Sequence, residues 1–220
     1  MPSRRSSHAP PTVVLLVRHG RTPTTGTVLP GRAPGLHLSD EGVAQAEAVA
    51  ERIGELADQE QRTPVAVYAS PLERTAETAR PIARRLGLRV RTDRGLLECD
   101  FGEWTGAKLS VLAKKPEWNQ VQRCPSGFRF PGGESFLEMQ ARITSTIARL
   151  AALHPGQTIV LVSHADPIKA AVAAVAGTHL DLFQRLTVSP CSVSALAYSD
   201  AGPHVLSINA TTSLTELGVS

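Results

Sequence analysis

Cysteine is scarce and scattered: Cys99, Cys124 and Cys191 are the only three in 220 residues, and no two form a Cys-x-x-Cys pair. An odd number at such spacing argues against a disulfide framework and a zinc site, and it suits a reducing cytoplasm. Long apolar runs are missing too. None approaches the roughly 20 residues that span a bilayer, so no membrane association is expected. The first eleven residues carry Arg4 and Arg5 without an apolar core, so no secretory signal is expected there. Residues 1–11 are expected to form a disordered tail ahead of a single domain over 12–220. There is no His-x-x-x-His or His-Glu-x-x-His pair for a metal and no Gly-x-x-x-x-Gly-Lys loop for a nucleotide. Internal repeats and low-complexity tracts are absent. The net charge is +3 and the arginines are dispersed, which does not point to nucleic acid. The densest basic group, Arg84, Arg85, Arg89 and Arg91, reads as a solvated helix end and strand edge.

What is present is the alternation of an α/β protein. Val13 to Val17 is a continuous aliphatic run between Pro10-Pro11 and Gly20, which is the pattern of a strand covered on both faces. Similar short runs occur at Val65–Ala69, Leu88–Thr92 and Thr158–Val162, with late strands expected at Val193–Tyr198 and His204–Ile208. Between them lie helical spacings: from an N-cap at Ser39 to about Leu56, from Ser70-Pro71 to Leu86, from Glu134 to Leu153, and from Asp166 to Ala176. Pro81 inside the second predicts a kink or break there. Residues 104–131 mix charge, aromatics, proline and glycine, and read as a small, partly helical cap. This order predicts a three-layer α/β/α fold with a mainly parallel sheet.

Two histidines, His19 and His164, follow continuous apolar strands, and a parallel sheet brings both to its carboxyl edge, where open α/β sheets bind ligands. Arg18 adjoins the first, and Arg74 stands in the first turn of the helix behind the second strand. Two guanidiniums and two imidazoles on one crevice call for an anion between them. A phosphoryl group suits arginine's planar fork.

The segments that carry this chemistry are Leu16-Val17-Arg18-His19-Gly20, Ser70-Pro71-Leu72-Glu73-Arg74-Thr75-Ala76-Glu77-Thr78, Glu98 before Phe101-Gly102-Glu103-Trp104-Thr105-Gly106, Pro131-Gly132-Gly133-Glu134-Ser135 and Val162-Ser163-His164. In this order they resemble the histidine phosphatase superfamily, which includes the cofactor-dependent phosphoglycerate mutases. The resemblance implies that His19 is a nucleophile forming a phosphohistidine, that Arg18, Arg74 and His164 clamp the phosphoryl oxygens, and that Glu98 is the general acid. It also implies a phosphoglycerate mutase-like fold and metal-independent chemistry on a small phosphorylated substrate. No cofactor is expected, except 2,3-bisphosphoglycerate if the enzyme is a mutase. Thr22, Thr25, the Gly31 N–H and the Ala165 N–H are further candidates for phosphate contact.

Arg21 and Thr24-Thr25 depart from the pattern, standing where many members have a glutamate and an asparagine. The segments His164–Lys169 and Leu180–Arg185 resemble a branch described as phosphomutases, with Asp166 expected to cap its helix. The cap is short and its basic residues are scattered, which favours phosphomonoester hydrolysis over mutase activity. A phospho-ligand or protein-binding module without turnover is the alternative of another class. Oligomeric state is open, a homodimer included.

Overall fold

The computed structural model describes residues 10–58, 62–212 and 214; most of the tail expected over 1–11 lies outside the described residues. A single six-stranded sheet organises the chain. Its strands are β1 (Thr12–Arg18), β2 (Pro64–Ala69), β3 (Val90–Thr92), β4 (Thr158–Ser163), β5 (Val193–Ser199) and β6 (Gly202–Ala210), in the spatial order β3-β2-β4-β1-β5-β6. The pairs β3–β2, β2–β4 and β4–β1 are parallel; β5 is antiparallel to both of its neighbours.

The alternation within β1 explains the layers. Val13, Leu15 and Val17 face α1 (Asp40–Asp58) and α2 (Glu73–Arg85), packing with Val49, Ile53 and Ile82. Val14 and Leu16 face the other way. There Ile143, Ile147, Ile168 and Val172 come from α5 (Phe136–Ala152) and α6 (Ala165–Val175). Successive strand side chains point to opposite faces, so a run apolar at every position belongs between two helical layers. The three-layer architecture follows.

Local signals place most helix ends. Ser39 Oγ accepts the Gly42 N–H at 3.1 Å, capping α1. Ser135 and Glu138 form a capping box at the start of α5. The α2 helix departs from expectation at its start, shows no break at Pro81 and ends, as expected, at Gly87. It begins at Glu73 rather than at Ser70-Pro71, because the Ser70 N–H continues the sheet by donating to the Val162 carbonyl at 3.0 Å. It runs on through Pro81, whose burial against α1 and the sheet outweighs the lost donor. It ends with Gly87 at φ +67 and with the Leu88 N–H donating to the Ala83 carbonyl at 2.8 Å. That closure is a Schellman motif. It uses Leu88 as a helix terminator, which is why β3 starts at Val90 and not at Leu88.

The cap contains α3 (Leu109–Leu112), α4 (Pro116–Arg123) and short 3-10 turns. Its aromatics are structural. Phe128 and Phe130 are buried beside Trp104 and Phe136, with ring centroids 4.9 to 6.5 Å apart. At the opposite side of the site, the turn after β1 lies against the start of α1 so closely that a Cβ on Gly20 would meet the Gly42 carbonyl oxygen at 2.5 Å. Gly42 is as tightly placed against the Arg21 carbonyl.

Candidate active site

Strand register assembles the crevice. Parallel pairing sets Arg18 opposite Ser163, so the next residues, His19 and His164, leave the sheet side by side with their ring centroids 5.2 Å apart. Ala69 pairs with Val162, so Ser70 leaves at the same level, and its Oγ lies 2.9 Å from His164 Nε2. From the first turn of α2, Arg74 reaches the same place. Its side chain is fully buried, with Nη2 donating to the Gly31 carbonyl at 2.8 Å. The Thr78 hydroxyl ties α2 to the turn, accepting the Gly20 N–H at 3.0 Å and donating to the Arg74 carbonyl at 2.7 Å.

His19 is oriented by its own chain. Nδ1 is 2.7 Å from the Gly20 carbonyl, an atom that can only accept, so the ring proton sits on Nδ1 and Nε2 keeps its lone pair. Burial, with Arg74 and Arg18 alongside, pushes the His19 pKa down to about 3. The imidazole therefore stays neutral across the physiological range. Burial and Arg74 likewise hold His164 well below the usual histidine value.

Around these rings, four buried nitrogens have no hydrogen-bond partner among the described residues: Arg18 Nε, Arg74 Nε, Arg74 Nη1 and His164 Nδ1. Arg18 is anchored by Nη1, which donates to the Val188 carbonyl at 2.7 Å. Leaving a buried donor unpaired costs about 1–3 kcal/mol, more when charged, so such a cluster marks an anion site. No group of three or more His, Cys, Asp or Glu is placed to hold a metal ion among the described residues.

Glu98 completes the crevice. It is 7% exposed, and Oε1 accepts the Cys99 N–H at 3.0 Å. Burial, and then the Asp166 carboxylate, raise its pKa to about 7, against the pull of Arg74, the Cys99 N–H and Arg18. A carboxyl in that state exists as donor and as acceptor near neutral pH. Asp166 itself does not cap α6: the N-cap is His164, with no side-chain bond, and Asp166 sits one residue into the first turn, 3.8 Å from Lys169.

The loop candidates have other partners. Thr25 Oγ1 accepts the Thr22 N–H at 2.9 Å and lies 3.0 Å from Thr22 Oγ1, so the two fold the loop upon itself. Gly31 offers its carbonyl to Arg74. Ala165 opens α6, where its N–H has no acceptor within the helix. Arg21 points out of the crevice: its N–H donates to Gln45, and its exposed guanidinium lies 3.4 Å from Glu41. Two residues around Glu98 escaped notice in the sequence. Arg32 donates to the Glu98 carbonyl at 2.8 Å, and Arg142 to the Leu97 carbonyl at 2.9 Å and the Glu98 carbonyl at 3.3 Å. Glu134, part of the Pro-Gly-Gly-Glu-Ser segment, joins them with ion pairs of 3.0 and 2.8 Å.

A neutral, backbone-oriented imidazole set among unpaired cationic donors at the carboxyl edge of a doubly covered sheet defines a phosphoryl-transfer site. The chain belongs to the histidine phosphatase superfamily, branch 1, whose sequence pattern matches residues 14–211. It is 38% identical over 160 residues to the uncharacterized protein Rv0525 of Mycobacterium tuberculosis, spanning 71% of this chain and 75% of that one. Phosphoserine phosphatase 1 of Hydrogenobacter thermophilus is 31% identical over 212 residues, or 94% and 96% of the two chains. The solved structure of mycobacterial glucosyl-3-phosphoglycerate phosphatase Rv2419c superposes with a TM-score of 0.79 at 27% identity, covering 90% of this chain and 99% of that one. The protein is an enzyme with the phosphoglycerate mutase-like α/β fold of that superfamily.

Proposed function

We propose that the protein hydrolyses a phosphomonoester of a small metabolite by way of a phosphohistidine at His19 Nε2. The carrying observation is the Nδ1–H bond to the Gly20 carbonyl, which presents Nε2 as a lone pair amid four partnerless buried nitrogens, three of them guanidinium. Arg18 Nε, Arg74 Nε and Nη1 and His164 Nδ1 hold the phosphoryl oxygens. Nε2 forms a bond to phosphorus as the ester P–O bond breaks, and the departing oxygen takes its proton from Glu98. Water then attacks phosphorus and gives a proton to the Glu98 carboxylate. The P–N bond breaks with its electron pair returning to His19, and phosphate leaves. The chain supplies the positive charge itself, so the reading calls for no metal. Donors preset in a buried site are each worth about 2.7–4 kcal/mol in the transition state.

Hydrolysis is favoured over mutase chemistry by the cap. Arg129 pairs with Glu138 at the start of α5, and the Lys115 ammonium lies over the Trp104 ring of the cap at 5.7 Å, so both cations have partners within the protein. The described residues include no helix long and apolar enough to cross a membrane. The three cysteines are free, which supports a cytoplasmic location.

The test is a brief quench after adding labelled substrate in EDTA, to trap an acid-labile, base-stable phosphoenzyme. Native protein is expected to trap label, and His19→Ala none. Normal turnover by His19→Ala would refute the mechanism. With 3-phosphoglycerate and 2,3-bisphosphoglycerate, isomerisation outpacing phosphate release would make the enzyme a mutase. Tight phosphate binding without either activity would make it a binding module.

A further inference from the structure

Two consecutive residues join the anion clamp to the carboxyl opposite it. The Gly31 carbonyl accepts from Arg74 Nη2 at 2.8 Å, and the next side chain, Arg32, donates from Nε to the Glu98 carbonyl at 2.8 Å. Gly31 has little freedom to move. Its φ is +53, and a Cβ there would meet Thr105 Oγ1 at 2.9 Å and the Phe101 ring at 3.1 Å, side chains of the segment that follows Glu98. The remaining N–H groups of Arg32 are also committed, to Glu134 at 3.0 Å and Asp100 at 3.4 Å. Behind them Arg142 pins the Gly95 carbonyl at 2.8 Å and grips both oxygens of Glu134 at 2.8 and 2.9 Å. The Glu98 carbonyl, in a stretch that lies in no helix or strand, thus accepts from two arginines that share the Glu134 carboxylate.

We infer that Gly31-Arg32 is a brace setting the Glu98 carboxyl at a fixed place relative to the Arg74 clamp, and that Arg32 is a positioning residue for proton transfer to the leaving group. The inference rests on Glu98 being the proton donor. Arg32 touches neither the phosphoryl donors nor the carboxyl oxygens of Glu98; it holds the main chain that aims them. Its planar fork is what serves three acceptors at once, which a lysine ammonium on its flexible stem does not reproduce.

A residue that merely stabilises the fold lowers turnover of every substrate alike. A residue that aims the acid matters in the first, phosphorylation step, which kcat/KM reports, only when the leaving oxygen needs a proton. The experiment therefore compares an alkyl phosphate, whose alkoxide needs protonation, with p-nitrophenyl phosphate, whose phenolate leaves without it. Arg32→Gln is expected to lower kcat/KM for the alkyl ester by about tenfold or more and to leave that of the aryl ester within about twofold, a fraction of what general acid catalysis supplies. Vanadate inhibition should be unchanged, because Gly31 still holds Arg74. Should Arg32→Gln fail to fold, Arg32→Lys keeps the charge beside Glu134 and is expected to show the same selective loss. Glu98→Gln runs in parallel. If Glu98→Gln discriminates between the esters while a folded Arg32 variant loses both equally or neither, the brace is refuted and Glu98 keeps its role. If Glu98→Gln itself does not discriminate, the assignment of Glu98 falls and the brace with it.

Discussion

The two walls of the crevice are built by opposite means. His19, Arg18, Arg74 and His164 stand at the ends of regular elements, where strand pairing and one helical turn set their spacing. Glu98 lies in irregular chain, and its place depends on side chains from two distant segments, Arg32 and Arg142. The backbone ladder is one cooperative unit with the core, so the clamp is as rigid as the sheet. The acid wall depends on a few polar contacts, each worth about 0.5–1.5 kcal/mol net. Phosphoryl transfer makes use of both. Donors to the phosphoryl oxygens act best when they do not move, whereas in the proposed mechanism the carboxyl serves first as proton donor and then as acceptor.

Replacing a residue of the clamp sharpens that contrast most. Arg74→Gln keeps a polar side chain but loses the charge, the fork and the reach to the Gly31 carbonyl. Phosphate release is expected to fall about 10²–10³-fold, as for loss of a preset donor, and by the same factor for alkyl and aryl esters. A loss confined to alkyl esters would place Arg74 on the acid wall and break the comparison.

The pH profile separates the walls without mutation. His19 must be neutral, so activity is present above its pKa of about 3; Glu98 must be protonated, so activity is lost as pH rises past about 7. In the free enzyme kcat/KM should be flat between these limits and fall on the alkaline side, the fall being weaker for p-nitrophenyl phosphate. Arg74 lowers both values, so in Arg74→Gln both limbs should move upward. A rise in activity through pH 7 would contradict the assignments.

The smallest effect is expected at Arg21. Its guanidinium is exposed and paired with exposed Glu41, an arrangement worth about 0–1 kcal/mol. Arg21→Ala should leave kcat and KM essentially unaltered, and a substantial rise in KM would bring that side chain into the substrate path.

The same division governs what could be read from the sequence. The clamp was legible because each of its residues follows a strong periodic signal: a continuous aliphatic run ahead of His19 and His164, and a helix start ahead of Arg74. The acid wall was legible only in part. Glu98 stood out by its place ahead of the Phe-Gly-Glu-Trp segment, but the partners that hold it lie 66 and 44 residues away, and a single arginine in a loop or on a helix has no period to betray it. Asp166 illustrates the limit. An acid near a helix start reads as a cap, whereas the structure gives that position to His164 and turns the Asp166 charge toward Glu98. Within the loop Thr25 bonds to Thr22, and Gly31 supports Arg74 through its carbonyl. Hydrogen bonds within a loop are invisible to composition. Leu88 and Pro81 show local rules yielding to neighbours: the first was claimed by a helix terminator, the second retained by packing.

Gly20 and Gly42 carry a consequence for how this enzyme can evolve. A clash between two side chains can be relieved by shrinking one of them, so most packed pairs drift together. Here the obstacles are carbonyl oxygens, of Gly42 against the first position and of Arg21 against the second. No substitution anywhere removes a carbonyl. The two positions are therefore each locked on their own account, without a compensating route, and the freedom to diversify the turn after β1 has to be found in the loop beyond Arg21 instead.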